Sequence, residues 1–470
     1  MRTASGRGFK RSFLALSLAG FVVSQFPACG GNTTTSGAKG SGGTSASGGV
    51  TGSSSTVGSG GSTGSGGTVA TGGKTGTGGA SATGGRTGTD GTTGSGGGPA
   101  TGGTGSATSK DAGSLAGDAP QTDKYVVAMV QSTKANASDL TAQDVADLVG
   151  SAVSKAGGID FIKTGQTVVL KPNLVTAYTD HYRMAPADLT VNGIATDWRV
   201  VKAVADLVRP KVGSTGKILV MEGSTMSTPT AYSMLGYTKA NISAVDEFVA
   251  LEGTACTDRT TTALVQKTGK SGTQYWVNKR YVEADVVISM PTMKTHLAAG
   301  ITGSVKNLGI GTTPMGQFSL ASANTNASDC TRGQAAGANS IDHSTPESLG
   351  SFIRDYFSLH PADFVVMDAL QGLEHGPAPA FEPKGDAGYY DYASSKKNMR
   401  LILAGQNAVA VDTIEALVMK CDPKKVPHLT KLEADGLGTT DTAKIEVVGK
   451  QVSEVAKPFA GKLTDICPGT

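Results

Sequence analysis

The segment Val286-Val-Ile-Ser-Met-Pro-Thr-Met-Lys-Thr-His296 decides the fold. It begins with five residues, four of them apolar, that do not alternate with polar ones. Continuous runs of this kind are typical of strands buried on both faces of a parallel sheet. Lys294 and His296 follow two positions apart, so in an extended backbone both side chains face the same side. The segment therefore predicts a buried strand with a cation and an imidazole at its carboxyl end.

Five further apolar runs lie along the chain, at 125–130, 167–170, 218–221, 364–367 and 401–404. Stretches with helical spacing or helix-start signals separate several of them, at 141–156, 198–208, 346–359 and 412–420. This alternation predicts the α/β class, with a mostly parallel sheet and flanking helices.

Polar residues follow most of these runs, and they define the candidate site. Ligands of open α/β sheets bind beyond the carboxyl ends of the strands, so we expect these side chains to converge on one crevice. The alternative is that each strand simply ends in a polar loop. The residues concerned are Lys171, Asn173, Glu222, Lys294, His296, Asp368 and Glu374.

A short helix over 301–311 contributes further candidates. Gly303 is expected to place free N–H groups near an anion, and Lys306 and Asn307 add direct contacts. The stretch lacks the Gly-Lys-Ser/Thr triplet of a phosphate-binding loop and the third glycine of a dinucleotide fingerprint, so both nucleotide motifs are rejected. A helix with a glycine cap and a lysine at its end is the alternative.

These residues suggest an enzyme acting on a small anionic ligand. Three lysines (171, 294 and 306) would neutralise the anion, while Asn173, Glu222 and Asn307 line the site and the two asparagines orient the ligand. Proton transfer is assigned to His296 and Lys294 with Glu374 or Asp368. A divalent metal is a further alternative, with a mixed nitrogen and oxygen ligand set of His296, His343, Asp368 and Glu374.

The amino-terminal 120 residues differ from the rest of the chain. Residues 1–29 combine a basic start, a 12-residue apolar stretch and Cys29, the layout of an export signal with a lipidation cysteine. Residues 30–120 are Gly-, Ser- and Thr-rich and predict a disordered tether. We therefore expect an α/β domain over 121–470, held by a lipid anchor at a membrane of the cell envelope, outside the cytoplasm. The net charge of only +3, without a basic block, gives no reason to expect nucleic-acid binding.

Taken in order, the motifs resemble the domain of unknown function 362 family over roughly 125–421. The specific part is Pro291-x-x-Lys294-Thr-His296 followed by Thr302-Gly303-x-x-Lys306-Asn307. The resemblance implies an α/β domain with these polar motifs and names no reaction. The chain departs from the family at Glu374-His375-Gly376-Pro377, which is one residue shorter than the usual motif, so His375 is a local substitute.

The cysteines bear on cofactor and compartment. Some members of that family carry ferredoxin-like cysteine clusters, but the body cysteines here are isolated, so no iron–sulfur cluster is expected. In an exported protein this even set allows two disulfides in three pairings, which the sequence leaves open. The four are Cys256, Cys330, Cys421 and Cys467. A non-catalytic ligand-binding lipoprotein remains the alternative function.

Overall fold

The structure is a computed structural model. It describes residues 124–175, 189–223, 228–251, 264–313, 341–379, 382, 384, 388, 390 and 391–469. The expectations for the export signal, Cys29 and the tether lie outside these residues, as do Cys256 and Cys330.

Most strands form one large sheet, in the order β12-β1-β11-β10-β7-β2-β3-β4. β8 pairs with β10 and β9 with β8, while β5 and β6 form a separate hairpin. The described strands are β1 (Tyr125–Gln131), β2 (Thr167–Pro172), β3 (Lys217–Glu222), β4 (Glu247–Ala250), β5 (Leu264–Thr268), β6 (Gln274–Asn278), β7 (Val286–Met290), β8 (Thr292–His296), β9 (Gly300–Ile301), β10 (Phe364–Leu373), β11 (Lys396–Gly405) and β12 (Ile445–Gly449).

The sheet is mainly parallel, as predicted. β10, β7, β2, β3 and β4 run parallel in register, and β12 runs parallel to β1. Two strands depart from this direction: β11 pairs antiparallel with both β1 and β10, and the short β9 pairs antiparallel with β8. The run at 401–404 therefore ends at the opposite edge from Lys171 and His296, and Asn407 there caps the helix that follows.

Helices cover both faces of the sheet. Neighbouring residues of one strand belong to different apolar clusters: Val169 packs in one, Val168 and Leu170 in the other. This arrangement explains why the strands read as continuous apolar runs. The described helices are α1 (Ala142–Lys155), α2 (Trp198–Val212), α3 (Thr228–Met234), α4 (Lys279–Val282), α5 (Gly303–Gly311), α6 (Pro346–Phe357), α7 (Tyr392–Ser395), α8 (Ala408–Val418), α9 (Pro427–Ala434) and α10 (Val452–Val455).

Local capping chemistry sets several helix ends. The Thr141 hydroxyl accepts a hydrogen bond from the Asp144 amide in a capping box before α1. Thr345 caps α6 in the same way, and Pro346 occupies the first position, where proline is favoured. No helix in the described ranges is long and apolar enough to cross a membrane.

A disulfide ties the carboxyl-terminal segment to the domain. Cys421 follows α8, and Cys467 lies 46 residues later; the two are joined and both are buried. Ile466 lies next to Gly300 of β9, and Ala460 accepts a hydrogen bond from the His375 amide. The segment therefore packs along the strands that carry the candidate site.

Candidate functional site

Lys171 is a fully buried cation at the end of β2. Its ammonium donates to Glu222 Oε2 at 2.6 Å, to the Pro172 carbonyl at 2.7 Å and to Asn307 Oδ1 at 3.2 Å. Burial lowers the pKa of Lys171, and the Glu222 carboxylate opposes that shift. All three N–H groups are used, and the ion pair with Glu222 is neutral as a unit. Lys171 therefore has no donor left for a ligand.

Lys294, on β8, is saturated in the same way. Its ammonium donates to Asn173 Oδ1 and Thr292 Oγ1, both at 2.6 Å, and to the carbonyl of Ile194. Burial, with the nearby charge of Lys306, holds the pKa of Lys294 well below its ordinary value. Lys294 thus fixes the surrounding loops rather than offering a free cation to an anion.

Asn307 joins these two lysine environments. Its Oδ1 accepts from Lys171 and, at 3.3 Å, from Asn173 Nδ2. Its own Nδ2 donates to the Lys171 carbonyl at 2.9 Å and to Ser289 Oγ at 3.2 Å. One buried network therefore brings together five of the residues that the sequence nominated: Lys171, Asn173, Glu222, Lys294 and Asn307.

The amino terminus of α5 is already occupied by a protein carboxylate. Asp412 of α8 accepts hydrogen bonds from the amides of Ser304 at 2.6 Å and Val305 at 2.8 Å. Gly303 adopts a φ of 58°, and a Cβ there would lie 2.4 Å from Asp412 Oδ2, so glycine is required for this approach. The amides expected to meet an anion next to Gly303 are thus bonded to Asp412.

Lys306 differs from the other two lysines. It is 8% exposed, yet its ammonium has no hydrogen bond or ion pair among the residues that the structure describes. Burial, followed by the charge of Lys171, lowers the pKa of Lys306 to about 8. A buried, unpaired charge is costly, so this ammonium is the group best placed to receive an anionic ligand.

His296 is held in one tautomer by the backbone. Its Nδ1 accepts hydrogen bonds from the amides of Ala298 at 3.1 Å and Ala299 at 3.2 Å, so the ring proton belongs on Nε2. Burial and the charge of Lys306 hold the pKa of His296 well below its ordinary value. His296 is therefore placed to act as a neutral N–H donor through Nε2.

Two more histidines share the electrostatic environment of Lys306. His343 lies just before α6, with Nδ1 3.2 Å from the Ile341 carbonyl, and its charge contributes to the lowered pKa of His296. His428 of α9 is completely buried, and burial followed by the Lys306 charge lowers its pKa to about 3. No motif selects His428 in the sequence, where it follows Pro427 in a predicted loop and is assigned no role; the structure places it in the first turn of α9.

Asp368 is a buried residue of β10, and its carboxylate lies at the start of α2 beside the network. Its carboxylate accepts from the amides of Asp197 at 2.8 Å and Leu370 at 3.0 Å, and Asp197 caps α2. Burial and the neighbouring Asp197 charge raise the pKa of Asp368 to about 7, against the opposing effect of the amide bonds. Its charge also acts on Lys294, and the hydrogen bonds described for its carboxylate go to backbone amides rather than to the network.

Glu374 has other partners. Its carboxylate pairs with Lys397 at 2.9 Å and accepts from the Ala460 amide at 2.9 Å. His375, next to it, places Nδ1 3.0 Å from Glu382 and stacks on Tyr390. Through these contacts Glu374 binds the carboxyl-terminal segment, and none of them is with the buried network around Lys171 and Lys294.

Sequence reasoning missed Glu415. It lies three residues after Asp412 on α8, and its Oε1 accepts from the Lys294 amide at 3.3 Å. Burial and the Asp412 charge raise the pKa of Glu415 well above its ordinary value. The spacing of Asp412 and Glu415 on one helix face is the signal that points to both.

The metal alternative meets a geometric obstacle at His296. A neutral imidazole that ligates through Nε2 carries its proton on Nδ1, which here accepts two amide hydrogen bonds. In the part of the chain that the structure describes, no three His, Cys, Asp or Glu side chains are placed to hold a metal ion. A divalent cofactor stays a prediction, and it requires His296 to give up both bonds.

The fold and the site define an α/β protein with a buried, lysine-rich polar centre at the carboxyl ends of a mainly parallel sheet. The chain belongs to the family described as Domain of unknown function (DUF362), whose match spans residues 168–416. No curated protein sequence matches the chain.

Among solved structures, the lactate racemase apoprotein from Thermoanaerobacterium thermosaccharolyticum is similar at 14% sequence identity and a TM-score of 0.30. The similarity covers 55% of this chain and 53% of that one, so the chain spans about half the length of that protein.

Proposed function

We propose that this protein is an exported, membrane-tethered enzyme that acts on a small anionic substrate bound at Lys306. The observation that carries the proposal is the buried ammonium of Lys306, which has no acceptor within the described ranges. The ammonium groups of Lys171 and Lys294 already donate to protein oxygens, so of the three lysines Lys306 remains to neutralise a ligand. A ligand anion would supply the counter-charge that the surrounding residues do not.

Proton transfer in this proposal falls to Lys306 rather than to His296. A general acid or base works best when its pKa lies near the working pH, and the pKa of Lys306 is about 8. His296 acts as the fixed N–H donor that stabilises charge on a substrate oxygen. Asp368 also has a pKa of about 7, but its carboxylate is held by two backbone amides.

Two binding variants test the proposal. Lys306→Met is expected to abolish both anion binding and turnover, while Lys431→Met, which changes a lysine paired with Glu347 on the surface, leaves both intact. Ligands are found by screening carboxylates and phosphate esters for thermal stabilisation, then assayed for conversion by mass spectrometry. A non-catalytic ligand-binding lipoprotein would show binding that depends on Lys306 and no conversion of any bound compound.

Export and tethering rest on the amino-terminal sequence, and the Cys421–Cys467 disulfide supports an oxidising compartment. The test is metabolic labelling with a palmitate analogue, followed by separation of membrane and soluble fractions. The expected result is label in the membrane fraction that disappears in Cys29→Ser. If the wild-type protein and Cys29→Ser were both unlabelled and both found in the cytoplasmic fraction, the proposal would be contradicted.

A further inference from the structure

His428 presents an unsatisfied imidazole inside the domain. It is 0% exposed, and neither ring nitrogen has a hydrogen-bond partner among the residues that the structure describes. Buried polar groups are nearly always satisfied, and an unsatisfied one lowers the stability of the fold. A ring placed this way is explained when a ligand accepts its N–H.

His296 offers a second donor in the same electrostatic environment. Its Nδ1 accepts from two backbone amides, so its Nε2 carries the proton, and Nε2 has no hydrogen-bond partner within the described part of the chain. Helix α5, which carries Lys306, packs against both β8, which carries His296, and α9, which carries His428. The charge of Lys306 acts on both rings. The three side chains therefore supply one ammonium and two neutral N–H groups.

We propose that His428 and His296 are a pair of neutral N–H donors that hold a carboxylate beside Lys306. The inference rests on the anion site proposed above and adds to it a new residue, His428, and the charge class of the ligand.

The charge balance favours a carboxylate over a doubly charged anion. Lys171 and Glu222 form a neutral pair. Burial holds the pKa of Lys294 well below its ordinary value, and its three donors meet neutral oxygens, so Lys306 is the cation with donors left for a ligand. A carboxylate brings one negative charge and two oxygens, which match one ammonium and two N–H groups. A second negative charge, as in sulfate, would stay uncompensated in a buried site.

The probes are acetate and sulfate, titrated calorimetrically at pH 7 and constant ionic strength into the purified full-length chain. We expect acetate to bind at least about ten times more tightly than sulfate, because sulfate leaves one charge unpaired. His428→Phe should weaken acetate binding about tenfold or more, and His428→Gln, which retains an N–H donor, should recover part of it.

Stability separates a ligand contact from a structural role. Because the ring nitrogens of His428 are unsatisfied without ligand, His428→Phe should melt at the wild-type temperature or above it. His360→Phe is the matched control: the His360 ring contacts the Tyr281 carbonyl at 3.0 Å, so its loss should lower the melting temperature and leave acetate affinity unchanged.

The outcomes distinguish this inference from the proposed function. Sulfate binding equal to or tighter than acetate, lost in Lys306→Met, would overturn the carboxylate assignment and leave the anion site standing. Unchanged acetate affinity in His428→Phe, or a clear loss of stability there, would overturn the role of His428. Binding of neither anion, or binding that survives Lys306→Met, would overturn the proposed function itself and this inference with it.

Discussion

Replacing Lys306 by methionine should stabilise the ligand-free protein. Lys306 is buried without an acceptor in the described residues, and its pKa falls from about 10.5 to about 8 on folding. A shift of roughly 2.5 units corresponds to about 3 kcal/mol of unfolding free energy lost at pH 7. Methionine keeps the apolar stem and removes the charge, so Lys306→Met should recover that amount.

The pH dependence fixes the sign of this effect. Because the folded-state pKa is lower than the unfolded one, the unfolded chain binds more protons between pH 8 and pH 10.5, and wild-type stability rises over that window. The advantage of Lys306→Met should therefore shrink to about 1.4 kcal/mol at pH 9.5. Groups common to both proteins cancel in the difference between variant and wild type.

The assay is urea unfolding of both proteins at pH 7 and pH 9.5. Lys294→Met serves as the contrast, because its loss leaves three oxygens without their donor and should destabilise the fold by more than about 2 kcal/mol. A Lys306→Met protein less stable than wild type at pH 7, or an advantage that does not change with pH, would refute the reasoning.

Three further changes have expected outcomes. Gly303→Ala should cost at least ~1–2 kcal/mol in urea unfolding, because the residue has a φ of 58° and its Cβ would press on Asp412; a neutral result would contradict this. Between pH 5 and pH 8, the unfolding free energy of Asp368→Asn should rise by roughly 2–3 kcal/mol relative to that of wild type, because the raised folded-state pKa of Asp368 makes wild-type stability fall over that window. A difference between the two proteins that does not change with pH would contradict this explanation. The double variant Cys421→Ser/Cys467→Ser should lose about 4 kcal/mol, the loop-closure value for a separation of 46 residues; equal unfolding midpoints for both proteins would count against the disulfide.

The sequence predicted the sheet well because burial on both faces imposes a visible pattern. The run at 286–290 is a strand with those limits, and β2 and β3 extend the predicted runs by two residues each. The run at 401–404 looks the same, yet β11 is antiparallel to its neighbours. An apolar run records burial, and strand direction depends on the connections between strands, which this pattern does not encode.

The sequence identified most residues of the candidate site, but it did not predict the role of each one. Lys171 and Lys294 follow from their positions at the carboxyl ends of predicted strands, and Lys306 follows from the short glycine-ended helix over 301–311. Which lysine stays unpaired depends on the acceptors brought by distant segments, such as the Ile194 carbonyl and Glu222. No sequence motif marks His428, because the packing of α9 is what brings it within reach of the Lys306 charge.

The most direct test of the account is the pKa of Lys306, measured by nuclear magnetic resonance of ε-¹⁵N-labelled lysine with and without saturating acetate. The pKa of Lys306 should be about 8 in the free protein and should rise clearly when the carboxylate supplies the missing counter-charge. An ordinary lysine pKa in the free protein, unmoved by acetate, would contradict the claim that Lys306 is an unpaired cation waiting for an anion.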